Sequence, residues 1–382
     1  HLGQQLYGFE RTEEQVAMLA QIEGIVRERR PDALLVSGDV YHTAQPSAAV
    51  QRMFSEAMVR MHEAWPEMTI VVTAGNHDSG TRHEIFRVPW LALNVHVVGG
   101  IDKENVDSHI IEIPEKGFVI AVPYSNERNL PSEFFQQLLD RVEERNEGRL
   151  PVAMMAHTTV SGCDFKGHDH ASEFSVGGID AFALEEMGEG YDYLVLGHIH
   201  HAQFVDGGNH RARYCGTPLA VSFDETFCHS VTMVEIEKHG GEILFETIDI
   251  ENPRPLVTLP TDGATTWEEC RRLLADFPDD IPAYVRLNVL VEDFLPPEAN
   301  AEAEMLTREK QCRFCYINAI REKQSAAKRK TLTVQEFQTE EPIDIARRFA
   351  EDSGCDFDET MDRMFREVVA MVEEGNRNGE DG

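Results

Sequence analysis

Residue types that commonly bind metal ions follow four apolar runs of this sequence. They offer imidazole nitrogens, one carboxylate and one amide oxygen, a donor set that suits Mn, Fe or Zn better than Ca or Mg. Five or six such ligands exceed one tetrahedral zinc ion, but a carboxylate such as Asp39 can bridge two ions. Two ions about 3.5 to 4 Å apart catalyse phosphoryl hydrolysis. The residues are Asp39 in "SGDVYH", Asn76 and His77 in "AGNHD", His157 in "MAHT", and His198 and His200 in "LGHIH".

The apolar runs predict the elements that position these residues. Continuous apolar stretches suit strands buried on both faces. In open α/β sheets ligands bind at the carboxyl ends of strands, so residues distant in sequence can converge there. Glycines at 38, 75 and 197 allow the backbone to turn where a strand ends. The predicted strands lie within residues 32–39, 69–78, 151–158 and 191–200.

Amphipathic stretches alternate with these runs, and the alternation predicts an α/β layered domain over residues 1–252. Residues 47–64 predict a helix that Ser47 caps at its N-terminus. The stretch "VTMVEIEKHGGEILFETIDI" predicts two strands joined through Gly240 and Gly241. This hairpin closes the first domain.

Prolines in "ENPRPLVTLP" predict a linker, after which the pattern changes. A smaller α+β domain is expected over residues 253–335, in which "YVRLNVLV" alternates as a half-buried strand should. Residues 336–382 are acidic and predict a helical C-terminus. Its apolar residues recur at helical spacing, at Met361, Met364, Phe365, Val368 and Val372.

The formal net charge of −33 predicts repulsion of polyanions and counts against a nucleic-acid partner. One segment, residues 308–330, is nevertheless basic and has two open interpretations, a solvated face or a strip that contacts phosphates. The seven cysteines, an odd number, favour reduced thiols in the cytoplasm. The basic residues of the segment are Arg308, Lys310, Arg313, Arg321, Lys323, Lys328, Arg329 and Lys330.

The motifs "GDVYH", "GNHD", "AHT" and "GHIH" resemble those of the calcineurin-like metallophosphoesterases. The longer stretches "GDVYHTAQPS", "AGNHDSGTRHE", "LGHIHHAQ" and "YCGTPLAVSFDE" resemble more closely the nuclease subunits of bacterial SbcCD complexes. The resemblance implies a layered sandwich of two sheets flanked by helices, with a smaller α+β capping domain and a helical C-terminus. It also implies a DNA exonuclease and endonuclease that depends on two divalent ions, most often Mn²⁺.

The same resemblance assigns a role to each site residue. Asp39 would bridge the two ions, and His77 would act on the phosphodiester with the support of His42. The remaining ligands divide between the ions, with His1 and His200 on the first and Asn76, His157 and His198 on the second. Other histidines are interpreted as structural: His62, His83, His96, His109, His201, His229 and His239.

The opening "HLG" resembles the end of the family's first motif, "D-x-H-x-G". We therefore expect an aspartate two residues before His1, on a strand that precedes the printed sequence. If that aspartate were absent from the protein, a scaffold that binds only partners would replace the enzyme.

Partners follow from the resemblance as well. The sequence contains no G-x-x-x-x-G-K-[ST] motif, so ATP dependence would require a coiled-coil ATPase subunit, which relatives bind through C-terminal helices. The alternative is that the C-terminal apolar stripe packs on its own domain. Relatives form homodimers, and we expect the methionine-rich face of the helix at 47–64, with Met58 and Met61, to form the interface beside "IFRVPWLAL".

Two further interpretations stay open at this stage. A metallophosphoesterase for a small substrate, such as a nucleotide or a phosphoprotein, fits the acidic charge better than a DNA nuclease does. It would scarcely need the extension over 260–382. "CRFC" at 312–315 has the spacing of a zinc ligand pair, but with no second pair nearby it is better explained by two packed core thiols.

Overall fold

The chain divides into two compact units, His1–Arg321 and Glu322–Gly382. In the second unit residues 361–365 are helical, and Met361 and Met364 are 49% and 60% exposed there. Phe365 of the predicted apolar stripe is half-buried, and Val368 and Val372 lie outside the described residues, so the docking role of the stripe stays a prediction. The computed structural model describes residues 1–125, 130, 133–165, 181–206, 209–292, 294–321, 343, 347 and 361–365.

Three parallel strands form the first sheet. The elements up to this sheet's last strand are β1 (Gln5–Leu6), β2 (Phe9–Glu10), α1 (Thr12–Arg29), β3 (Ala33–Ser37), α2 (Ala48–Ala64), β4 (Thr69–Thr73), α3 (Gly80–Ile85), α4 (Arg87–Leu91) and β5 (Val95–Val98). The strand order is β3-β4-β5, so β4 lies in the middle, and all five of its residues are buried. As predicted, the Ser47 hydroxyl caps α2 by accepting a hydrogen bond from the Val50 amide.

Helix α2 buries its methionines, contrary to the prediction that they form a dimer interface. Met58 and Met61 are only 3% and 1% exposed. They pack in one cluster with Met18 of α1 and Ile70 of β4, because α1 and α2 contact each other and their apolar residues pack together with those of the first sheet. The neighbouring segment is the exposed one, since Ile85 and other apolar residues of α3 and α4 face solvent.

Six strands form the second sheet, in the order β10-β11-β9-β8-β7-β6. Its elements are β6 (Ile110–Ile113), β7 (Gly117–Val122), α5 (Phe134–Glu143), β8 (Val152–His157), β9 (Tyr193–Gly197), β10 (Gln203–Phe204) and β11 (Ala212–Tyr214), with 3-10 helices at Val106–His109 and Leu184–Met187. β7, β8, β9 and β11 run parallel, and the outermost strands at either side are antiparallel to their neighbours. α5 covers one face, where Leu138 packs against Ile120 and Met154.

The two sheets pack face to face. Val71 of the first sheet lies in one hydrophobic cluster with Val119 and Met155 of the second sheet. Helices cover the outer face of each sheet, so the predicted α/β sandwich is confirmed. Among the described helices, none has both the length and the apolar character that spanning a bilayer requires.

A hairpin and a third sheet complete the first unit. The hairpin turns between Ile236 and Ile243, as the glycine pair predicted. The third sheet has three parallel strands in the order β14-β15-β16, and its cluster of Leu274, Leu287 and Ala303 forms a core separate from the sandwich. The domain boundary at 252/253 stays a prediction. The elements are β12 (Ser230–Ile236), β13 (Ile243–Asp249), β14 (Leu256–Leu259), α6 (Trp267–Ala275), β15 (Tyr284–Val291), α7 (Ala299–Thr307) and β16 (Arg313–Arg321).

Strand β15 differs from the prediction of a half-buried strand. Its first four residues, Tyr284 to Leu287, are all buried. The alternation is present, but both faces are covered. Val285 and Leu287 face the cluster with α6 and α7, whereas Tyr284 and Arg286 contact Glu14 and Asp224 of residues 1–252. The alternating pattern of β15 therefore belongs to a strand that packs against α6 and α7 on one face and against residues 1–252 on the other.

Candidate metal centre

The structure brings the predicted ligands together where the strands of both sheets end. Asp39 follows β3 and lies between two histidines, with its Oδ2 3.7 Å from Nε2 of His1 and 3.3 Å from Nε2 of His157. Because β3 belongs to the first sheet and His157 to the second, the carboxylate lies where the two sheets meet. Asp39 can therefore act together with His1 on one side and with His157 on the other.

Asn76 forms the next part of the centre. Its Oδ1 lies 3.1 Å from Nε2 of His157 and 3.0 Å from Nδ1 of His198. Asp39, His157 and His198 each offer a ligand atom within 4.8 Å of one another. An ion bound here would find nitrogen and oxygen donors of the type that Mn, Fe or Zn accepts.

His1 and His200 lie on the other side of Asp39. Their Nε2 atoms are 3.2 Å apart. The predicted division of ligands into two groups that share Asp39 is compatible with these distances. His42 and His77 belong to the same neighbourhood, because each has a ligand atom within 4.8 Å of one on His1.

The predicted pair His42 and His77 is in contact, but the hydrogen bond uses backbone. Nδ1 of His77 donates to the carbonyl oxygen of His42 at 3.1 Å, and the two rings stack with centroids 5.7 Å apart. The backbone amide of His77 donates to Oδ1 of Asp39 at 2.9 Å. His77 is thus fixed at two points beside the ligands.

Two ligand histidines have a defined tautomer, which is the best test of whether the site fits a metal ion. Nδ1 of His157 donates to the carbonyl oxygen of Ser37 at 2.7 Å. Nδ1 of His200 donates to Oε1 of Glu225 at 2.8 Å. In each ring Nε2 is then the nitrogen left for coordination, the arrangement found in most metal-binding histidines. The residues present therefore fit divalent metal ions.

Burial and charge oppose one another at Asp39. Burial alone would raise the pKa of its carboxyl, but the charge and hydrogen bond of His157 and the amide of His77 lower the pKa well below its usual range. For His157 burial would lower the pKa, and the Asp39 carboxylate reverses this so that the pKa is raised. Asp39 is ionised at neutral pH, as a bridging ligand must be.

The backbone at two predicted ligands is strained. Asp39 and His198 have φ values of 50° and 94°, in a region that L-residues other than glycine rarely adopt. Gly38 precedes Asp39 with φ 80°, so a glycine is needed for the turn there. Such conformations persist only where the surrounding structure enforces them, and they concentrate at functional sites.

Gly75 and Gly197 are required for a different reason than the predicted sharp turn. Neither has a positive φ. A Cβ at Gly75 would lie 2.1 Å from Oδ1 of Asp39, and one at Gly197 would lie 1.9 Å from the carbonyl oxygen of Ser37. Gly75 thus lets the loops after β3 and β4 of the first sheet approach each other closely, whereas Gly197 lets the end of β9 in the second sheet approach the end of β3 in the first.

Sequence reasoning missed Asp78, which holds two ligand loops in place. Its carboxylate accepts hydrogen bonds from the amides of Gly75 at 2.9 Å, Val40 at 3.1 Å and Tyr41 at 2.9 Å. Burial would raise its pKa, but His83 and these amides lower the pKa. His83, interpreted as structural, lies 3.4 Å from Asp78. The signal was the aspartate that ends the motif "AGNHD" itself.

Glu225 was missed as well. Its side chain is fully buried and, besides His200, accepts from the Thr217 hydroxyl at 3.1 Å and the Val221 amide at 3.2 Å. His229, also interpreted as structural, lies 3.7 Å away. The only signal was an acidic residue in "SFDE", which periodicity does not distinguish from a surface charge.

The basic segment is partly used within the fold. Lys310 donates to the carbonyl oxygens of Ala275 and Phe277 and pairs with Asp279 at 2.6 Å. Arg313 donates to the carbonyl oxygen of Glu10 at 3.2 Å. These two cations are therefore engaged in the fold. Four members lie outside the described residues: Lys323, Lys328, Arg329 and Lys330.

The cysteines of "CRFC" do not form a ligand pair. Cys312 is buried in the core of the third sheet, whereas Cys315 packs against a different cluster that contains Tyr284. The interpretation as two packed thiols is confirmed.

The comparisons with known proteins agree with this geometry. The family model for calcineurin-like phosphoesterases matches residues 4–202, more than half of the chain. The chain belongs to the calcineurin-like phosphoesterase family. The names of similar proteins are more specific than the family. The D subunit of the nuclease SbcCD of Rhodobacter capsulatus is 30% identical over 296 residues, which cover 70% of this chain and 72% of that protein.

Two further relatives carry the same name. The D subunit of the nuclease SbcCD of Bacillus subtilis is 29% identical over 398 residues, covering 98% of this chain and 97% of that protein. The Escherichia coli K12 protein of this name is 26% identical over 325 residues, covering 77% of each chain. The chain is thus similar to this nuclease subunit along nearly its whole length.

Proposed function

We propose that this protein is a metal-dependent DNA nuclease that hydrolyses phosphodiester bonds as exonuclease and endonuclease, in the processing of DNA ends during repair and recombination. The observation that carries the proposal is the convergence of Asp39, Asn76 and the ligand histidines at the ends of strands from two sheets. The names of the relatives supply the nuclease activity. The protein would act in the cytoplasm.

The proposed cofactors are two divalent ions, and Mn²⁺ is the metal proposed for both. His1 and His200 would hold the first and Asn76, His157 and His198 the second, with Asp39 shared. When bound, such ions lower the pKa of a water molecule and neutralise charge on the phosphate. Asp39 supports this role because its lowered pKa keeps it ionised.

The chain's own residues have defined tasks in the reaction. His77 donates a proton to the sugar oxygen that leaves. Because its Nδ1 donates to the His42 carbonyl, Nε2 is the nitrogen that can transfer the proton. The Asp39 carboxylate accepts the His77 amide, which keeps the acid at a fixed position relative to the ligands. His42 acts as a positioning residue through its carbonyl and its stacked ring.

Partners complete the proposal. The C-terminal segment 336–382 would bind a coiled-coil ATPase subunit, and residues 253–335 would cap the nuclease domain and contact DNA. We propose a homodimer that uses the exposed apolar surface of α3 and α4, where Ile85, Val88 and Leu91 are 65%, 77% and 48% exposed. An apolar surface of this kind is typical of protein interfaces.

The experiment is incubation of the full-length protein with end-labelled double-stranded DNA and Mn²⁺, beside a nucleotide monoester. We expect DNA fragments, no fragments after chelation, and little release of phosphate from the monoester. Rapid hydrolysis of the monoester with intact DNA would favour the small-substrate enzyme. Absence of Mn²⁺ binding together with absence of both activities would favour the scaffold.

A further inference from the structure

A buried arginine of the third sheet contacts the segment that holds His200. The side chain of Arg286 is 9% exposed, although it belongs to a strand whose other face is packed against α6 and α7. Its Nη1 donates to Oδ1 of Asp224 at 2.7 Å, and its Nη2 donates to the carbonyl oxygen of Phe223 at 3.3 Å. One planar guanidinium thus engages two successive residues of the segment.

Arg286 is itself fixed from the other side. Its Nε donates to the Thr258 hydroxyl of β14 at 3.2 Å, and its Nη1 also donates to the Tyr316 hydroxyl of β16 at 3.3 Å. The guanidinium lies over the Phe223 ring, 5.2 Å from its centroid. All three strands of the third sheet therefore determine where the guanidinium lies.

The contacted segment leads directly to a ligand. Asp224 is followed by Glu225, whose Oε1 accepts the Nδ1 hydrogen of His200 at 2.8 Å. The segment is a tight turn, since the Glu225 amide donates to the Ser222 carbonyl oxygen and the Asp224 amide to the Ser222 hydroxyl. A displacement at Phe223 or Asp224 is transmitted to the Glu225 backbone because few bonds separate them.

We propose that Arg286 is a positioning residue for His200, acting through the turn Phe223–Glu225, and that it couples the third sheet to the metal centre. The inference rests on the proposed role of His200 as a metal ligand. Carboxylates that hold a ligand histidine contribute about 10- to 100-fold to metal affinity. Arg286 acts one step further out, so we expect its loss to cost about 10-fold, the lower end of that range.

The coupling is reciprocal by linkage. If the contact of Arg286 with the turn strengthens metal binding at His200, then a bound ion strengthens the contact between this turn and the third sheet by the same factor. A substrate or partner that moves the third sheet would thereby alter metal affinity without touching a ligand. This is a regulatory route that depends on residues outside the sandwich.

The test measures Mn²⁺ affinity of the full chain by electron paramagnetic resonance of free Mn²⁺, after removal of metal with chelator. The Mn²⁺ affinities of wild type and His200→Asn are measured first, because they test the proposed metal site. If wild type binds no Mn²⁺, or His200→Asn binds it as wild type does, the proposed metal site is wrong. If His200→Asn binds Mn²⁺ more weakly than wild type at one class of site, the proposed metal site is supported and the role of Arg286 can be tested at that class of site.

The deciding variant is Arg286→Gln, with Arg313→Gln as the matched control. Both remove a cation that joins β15 or β16 to residues 1–252, but the Arg313 side chain donates to the Glu10 carbonyl and the Tyr284 hydroxyl. We expect about 10-fold weaker Mn²⁺ binding, at the same class of site as in His200→Asn, for Arg286→Gln only. Equal affinities in the two glutamine variants would overturn the proposal.

Two more variants separate positioning from folding. Asp224 is exposed, with 70% of its side chain accessible, so Asp224→Asn can be made without disturbing the core. It should weaken Mn²⁺ binding in the same direction, and combining it with Arg286→Gln should add little. Arg286→Lys should restore only part of the affinity, because an ammonium lacks the fork that reaches both residues. Wild-type affinity in Asp224→Asn would also contradict the proposal, even if Arg286→Gln did not fold.

Discussion

The metal centre and the third sheet place polar side chains in opposite ways. At the metal centre they follow the ends of strands, as Asp39 follows the half-buried β3 and His198 follows the mostly buried β9. In the third sheet the polar residue Arg286 lies within a strand and faces residues 1–252. A side chain at the end of a strand can lie in a cleft. A polar side chain on the face of a strand has only the partners that another packed segment of the chain provides. The members of the first kind of site can be recognised from local sequence patterns, whereas the second kind depends on packing between distant segments.

The largest effect is expected at Asp39, the carboxylate proposed to bridge the two ions. Asp39→Asn removes the negative charge of a proposed ligand that lies between His1 and His157, so hydrolysis should fall below detection and bound Mn²⁺ should decrease. Bound metal is measured by atomic absorption after gel filtration. The control is Asp276→Asn beside the third sheet, an exposed residue paired with Arg272, which should behave as wild type. Full activity in Asp39→Asn would refute the two-metal site.

Substitution of His77, the proposed acid, should separate catalysis from metal binding. His77→Asn is expected to lower turnover by about 10² or more, since an acid catalyst contributes this much, while metal content stays near that of wild type. His96→Asn is the control, because His96 contacts Asn94 in the first sheet rather than a ligand. Loss of metal from His77→Asn would make His77 a ligand instead.

The close approach of the two sheets can be tested with a methyl group. Gly197→Ala would put Cβ 1.9 Å from the Ser37 carbonyl oxygen, and Ser37 also holds His157. We expect a loss of about 1–3 kcal/mol of unfolding free energy and weaker Mn²⁺ binding. Gly100→Ala is the control, since no atom lies within 4 Å of its added Cβ. Equal melting temperatures and equal affinities for the two variants would show that the loops have room to separate.

The smallest effect concerns the thiols of the third sheet. Burial raises the pKa of Cys270 to about 11 and that of Cys315 to about 12. The thiolate fraction at pH 8 is therefore small, and reaction with a disulfide reagent should be about 100-fold slower at Cys270 and about 1000-fold slower at Cys315 than in the unfolded chain. Because the pKa values are raised, the rate should increase about tenfold per pH unit from about 8 to 10. Fast labelling at pH 8, located by peptide mapping, would contradict this assignment; zinc-dependent protection would restore the ligand-pair interpretation.

The sequence predicted the sandwich and the neighbourhood of the ligands because both depend on local patterns. Apolar runs that end in glycine and a ligand residue identify Asp39 and His198 as strand-end groups without further information. It could not predict Glu225 or the burial of Arg286, whose environments arise from chain segments far away in sequence. Met58 was misassigned for a related reason, since periodicity identifies an apolar face but not what covers it.

Asp78 has a consequence for the thermodynamics of ion uptake. One carboxylate joins the loop after β3 to the loop after β4 through backbone amides at Gly75, Val40 and Tyr41. The conformational entropy of arranging these loops is therefore lost when the chain folds, and little remains to be lost when ions bind. A calorimetric titration of Asp78→Ala with Mn²⁺ should show a more unfavourable binding entropy than wild type. The carboxylate never needs to touch an ion to determine how tightly one is held.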